Sequence, residues 1–186
     1  DSQYSGQQPC SGLRGDTLRD CQNFIGYKSG DFNDLQKVYI EQIDLTLLPM
    51  QAAEKNVQES INSQRSLVNK LSELKFCQIN RNVAGKEATQ TELDAEQKKL
   101  DKFVADLISI QDISIPLLNA KLHLQNPPTK DSHDLTAAFN EIRNLLNPTR
   151  ANEIKLASEK DMNDNKSAVS QRLPQVQQSI TTCASS

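Results

Sequence analysis

A repeating apolar stripe most constrains this chain. Leu35, Val38, Tyr39, Leu47, Met50, Ala53, Val57, Ile61, Val68, Leu71 and Leu74 follow one another mostly at gaps of three, four or seven. That is the period of one helix face, and it predicts a first long helix from Asp31, as N-cap, to about Cys77. At 1.5 Å per residue such an element is roughly 65–70 Å long. Pro49 falls inside it and predicts a bend or a split.

A second stripe uses Leu93, Leu100, Phe103, Leu107, Ile110, Leu117 and Leu122. Thr89-Gln90-Thr91-Glu92 reads as its capping box, after a turn over residues 79–90 that contains Gly85. Val104, Ile108, Ile115 and Leu118 widen its apolar face. So broad a face predicts a helix sandwiched between two others. Pro116 predicts another kink, and Asn126-Pro127-Pro128 a firm end. A third stretch starts near Asp131, with Leu135, Ala138, Phe139, Ile142, Leu145 and Leu146 as its apolar residues. Asn147-Pro148 is a break or a fresh start, with Asn147 as cap and Pro148 in the first turn. Helix then continues through Ile154, Ala157, Val169, Leu173, Val176 and Ile180. Its middle, residues 158–167, is nearly all polar and predicts low local stability.

Aromatic residues are 4% of the chain and Trp is absent. The core must therefore come from slender helices packed through Leu, Ile, Val and Ala. The expected fold is all-α: an elongated antiparallel bundle of three to four long, kinked helices with two disulfides. Residues 1–30 form an N-terminal disulfide-loop segment, and residues 31–186 the helical bundle.

The cysteines stand at 10, 21, 77 and 183, in neither a CxxC nor a Cys/His zinc spacing. An even count without metal spacing points to disulfides and an oxidising compartment. If the long segments run down, up and down, Cys77 and Cys183 meet at the bottom of the bundle. Cys10 and Cys21 then meet near its top. A first residue of Asp rather than Met fits a processed, secreted chain. Asn165-Lys166-Ser167 is an N-glycosylation sequon, a pattern common by chance.

A net charge of −3 with no basic stripe offers no field for nucleic acid. No apolar run reaches the length of a membrane span, so membrane insertion is not expected. No nucleophile elbow, phosphate loop or cofactor motif occurs, so neither an enzyme nor a cofactor is expected. His123 and His133 flank the double-proline turn near Asp131 and Asp134. They read as solvated turn residues rather than a metal site.

Arg14-Gly15-Asp16 lies between Cys10 and Cys21 and is the integrin-recognition tripeptide. Its Asp carboxylate can ligate a receptor-bound metal ion, and its Arg can fork onto a carboxylate. The tripeptide also arises by chance in roughly a few per cent of chains this long. If residues 13–20 are helical, Asp16 is only a cap. The whole chain resembles, in general character, small secreted helical proteins of invertebrates, including salivary proteins of blood feeders. The integrin reading fits such a setting, as an inhibitor of platelet or cell adhesion. The expected role is a secreted, non-enzymatic binding protein acting on an extracellular or cell-surface protein. The alternative is a carrier of a small apolar ligand, held in a cavity lined by Val104, Ile108, Ile115 and Leu118.

Overall fold

The computed structural model describes residues 14–16 and 32–186. Four α-helices and a 3-10 turn make up the described residues from 32 onward, with no strand among them. They are α1 (Phe32–Arg81), α2 (Lys86–Gln125), α3 (Ser132–Ile142) and α4 (Pro148–Ala184), with the 3-10 turn Arg143–Leu145 after α3. The fold is all-α. Pro49, Pro116 and Pro174 each sit inside a helix without ending it. The expected cap Asp31, and both Cys10 and Cys21, lie outside the described residues.

The chain forms two compact units. The first joins the described residues up to Gln51 with Asp112–Asn152, and the second joins Ala52–Gln111 with Glu153–Ser186.

In the first unit Leu35, Tyr39, Ile43 and Leu47 of α1 pack with Leu117 and Leu124 of α2 and with Leu135, Phe139 and Ile142 of α3. Tyr39 and Phe139 stack with ring centroids 4.2 Å apart and planes within 9°. The Tyr39 hydroxyl shares a 3.0 Å hydrogen bond with Thr136 Oγ1, so its polar end is satisfied in the core. Burial pushes the Tyr39 hydroxyl above its ordinary range, partly offset by that bond. Gln36 Nε2 donates to the Leu124 carbonyl, one of the last of α2, which lacks a helical donor. Lys121 Nζ lies 2.8 Å from Asp44 and ties α2 to α1 a second time.

Two caps follow the sequence closely. Asp131 accepts from the backbone N–H of His133 at the start of α3. Asn147 Oδ1 accepts from the N–H of Arg150, with Pro148 opening α4.

The second unit gathers Leu67, Leu71 and Leu74 of α1 with Val169, Val176, Ile180 and Cys183 of α4, and Leu93 of α2 packs against them. Cys77 and Cys183 form a disulfide across 106 residues of sequence, the pairing the segment lengths require. On the chain-entropy account, closing so long a loop contributes about 4–5 kcal/mol. It is the one disulfide among the described residues.

Two local expectations are corrected here. First, α1 continues to Arg81 and ends on Asn82, whose φ is +51°. Val83 N–H donates to the Gln78 carbonyl and Asn82 N–H to that of Ile79, the paired bonds of a left-handed helix cap. Second, α2 starts at Lys86, a turn before the expected capping box. Gly85 at φ +105° sets that start, and a Cβ there would stand 3.0 Å from Gln78 Nε2. Thr89 donates its N–H to the Gly85 carbonyl and is buried inside α2 rather than capping it.

Arg172 of α4 grips Glu92 of α2 through two bonds, Nε to Oε2 at 2.7 Å and Nη2 to Oε1 at 2.6 Å. The Arg172 hydrogen bond holds the Glu92 carboxyl below its usual 4.5. A carboxyl depressed in the folded state stabilises fully above its unfolded value and loses that contribution as pH falls through the folded one. Both side chains are about one-third exposed, so solvent limits the pair to roughly 0.5–1 kcal/mol. Arg172→Met should therefore lower the urea stability by about that amount at pH 7. Wild type and variant should converge as pH falls through the depressed Glu92 range. A difference that persists at low pH would assign the effect to packing.

Candidate functional site

Arg14, Gly15 and Asp16 are all exposed. Gly15 has a φ of +57°, and a Cβ there would meet nothing within 4 Å. Gly15 and Asp16 lie in a helical turn. The rest of the loop lies outside the described residues.

His123 Nε2 lies 3.3 Å from Asp134 Oδ2, joining α2 to α3 across the double-proline turn. His133 serves the α3 cap through its backbone N–H. No three His, Cys, Asp or Glu side chains converge as a metal site among the described residues.

Sequence reasoning misplaced the wide apolar face of α2. Leu117, Ala120 and Leu124 are buried, but Ile115, Leu118 and Leu122 of the first unit are 51%, 38% and 49% exposed. Ile108, in the second unit, is 54% exposed. The reason is geometric. Neighbouring helices cover a limited arc of α2, and apolar residues beyond that arc meet water. Leu45 and Leu48 of the first unit are also exposed, as are Phe76, Ile79 and Leu156 of the second.

The same helix revises the expectation about membrane spans. By length and composition α2 is apolar enough to cross a bilayer, with a mean hydropathy of 1.3 in its most apolar window and 17% of that window buried. Asp106 and Asp112 stand on this part of the helix. Each would cost about 2.5–3.5 kcal/mol near a bilayer centre.

Grooves open on the surface of each unit among the described residues. In the first unit a groove of about 480 Å³ is lined by Pro116, Asn119, Ala120 and His123 of α2 and by Asp134, Ala137, Ala138, Glu141 and Ile142 of α3. In the second unit a groove of about 320 Å³ is lined by Lys99, Lys102, Phe103, Asp161, Asp164, Asn165 and Ala168. Ile108, Ile115 and Leu118 line neither.

The polar middle of α4 is better integrated than its composition suggests. Gln64 is 1% exposed at the centre of the second unit. Its Oε1 accepts from Asn165 Nδ2 at 2.8 Å, and its Nε2 donates to the Glu96 carbonyl at 2.8 Å. Nearby, Asn56 Nδ2 donates to Ser158 Oγ at 3.2 Å. A buried Gln thus joins α1 to α2 and to the polar stretch of α4 through amide bonds.

No family model, curated protein or solved structure matches this chain.

The sequon residue Asn165 thereby gains a structural role. A glycan would replace one of the two Nδ2 hydrogens, and at the position that faces the buried Gln64 it would displace this bond. Chains secreted from eukaryotic cells should therefore carry little glycan at Asn165, as intact mass before and after glycosidase would report. Asn165→Ala should cost about 1–2 kcal/mol by leaving the Gln64 carbonyl oxygen without a donor. Full glycan occupancy in folded protein would show that this bond is dispensable.

Proposed function

We propose that this chain is a secreted, non-enzymatic binding protein whose partner is another extracellular or cell-surface protein. One observation carries the reading: Ile115, Leu118 and Leu122 are exposed at spacings of three and four along a helix whose opposite side is core. Contiguous exposed apolar surface on a folded domain marks interaction sites, and a helix face of this spacing suits a packed protein surface. The Cys77–Cys183 disulfide supports an oxidising, extracellular setting. The exposure of these residues favours a protein contact over the carrier alternative, which needs them inside a cavity.

The test is a binding screen against purified extracellular domains, comparing wild type with Ile115→Glu/Leu118→Glu. The double variant should lose at least tenfold in affinity for any partner found, with helicity and melting temperature held. Partners that bind both proteins equally would move the contact elsewhere.

A second reading rests on the exposure of Arg14, Gly15 and Asp16; the helical backbone at Gly15 and Asp16 weighs against it, because Asp16 in a helical turn serves as a cap. On this reading the protein inhibits integrin-dependent adhesion. Asp16→Glu keeps the charge but adds a methylene, so it should abolish inhibition while leaving the fold intact. Wild type that fails to bind integrins at micromolar concentration ends this reading.

A further inference from the structure

The geometry points to the α2–α3 groove of the first unit as a binding site for a linear aliphatic di- or polyamine with terminal ammonium groups about 11 Å apart. Its walls come from two antiparallel helix faces, each repeating every three or four residues. Pro116, Asn119, Ala120 and His123 form one wall, and Asp134, Ala137, Ala138 and Glu141 the other. The His123–Asp134 contact at 3.3 Å fixes the register. Counting seven residues along each helix from that contact brings Pro116 opposite Glu141. The groove therefore has one carboxylate at each end and alanines along its middle.

Charge selects the ligand class. Asp134 and Glu141 are the carboxylates of the lining, and no Lys or Arg lines it. Asn119 supplies a side-chain carbonyl. Glu141 makes no hydrogen bond or ion pair among the described residues, in contrast to Lys121–Asp44 and Arg172–Glu92. Acceptors at both ends, with no Lys or Arg beside them and His123 the one ring partner already at the Asp134 end, favour a doubly cationic guest. The alanines Ala120, Ala137 and Ala138 leave room above the helix backbones for an unbranched alkyl chain.

Spacing selects the length. Asp134 and Glu141 are seven residues apart on one helix, so their backbones are separated by about 10.5 Å. Each C–C bond of about 1.52 Å advances an extended alkyl chain by roughly 1.25 Å. Nine bonds, as in an eight-carbon diamine or a triamine of equal length, span about 11 Å. A four-carbon diamine reaches one carboxylate only.

The experiment titrates the full-length protein with α,ω-diamines of four, six, eight, ten and twelve carbons, and with octylamine, following backbone amide shifts by NMR. The eight-carbon diamine should bind best, with shifts at Asn119, His123, Ala137 and Glu141. Octylamine and the four-carbon diamine should bind roughly fivefold more weakly, as loss of one partly exposed ion pair implies. Glu141→Gln and Asp134→Asn should each weaken the eight-carbon ligand by a similar factor and flatten the length dependence. Both are near-isosteric, and the length series in wild type stands without them. Affinity that rises steadily to twelve carbons, or equals that of octylamine, would overturn the site. So would an absence of shifts at about 10 mM ligand, which is weaker than any useful affinity.

Discussion

The buried face of α1 is the constraint on which the rest of the fold depends. Leu35, Tyr39, Ile43 and Leu47 supply the α1 share of the first core, and Leu67, Leu71 and Leu74 that of the second. Every other helix buries its apolar residues against some part of this face. A helix of 50 residues has little stability of its own beyond propensity, so the packing of that stripe holds it in place. With so few aromatic residues, the Tyr39–Phe139 stack concentrates in the first core the large-area burial that other folds distribute widely.

Polar side chains do in the second unit what aromatics do in the first. Gln64 binds a carbonyl of α2 and an amide of α4, and Asn56 adds a bond to Ser158. Such bonds contribute modestly to net stability, but leaving one unmade costs more than making it contributes. They therefore penalise a slipped register of α4, whose polar middle has few apolar residues to set it. The disulfide pins the far end of the same helix. Register is thus fixed by amide bonds along α4 and by a covalent bond at its terminus.

The surfaces proposed for contact lie where helix periodicity and helix neighbours disagree. Ile115, Leu118 and Leu122 continue the apolar pattern of α2 past the arc its neighbours cover. On another side of α2, small residues facing α3 leave a groove instead of contact. Both features arise because α2 carries more apolar and small residues than its packing partners use.

The helices themselves were legible in the sequence. Period, the Asp131 and Asn147 caps and the double proline located α3, α4 and the end of α2, because each acts through backbone chemistry within one turn. The pairing of Cys77 with Cys183 followed from segment lengths. Other features depended on contacts between residues distant in sequence. Gly85 began α2 ahead of the Thr89 capping box because its turn closes against Gln78. Asn165 read as a sequon until Gln64 met its amide. Nor could the sequence show which apolar residues of α2 would be covered, since helical period gives a face but not the neighbours that bury it. The sequence by itself determined that the chain is helical and where most of its helices start and stop. Tertiary structure alone decided which faces remain open to a partner, because exposure is a property of packing between helices.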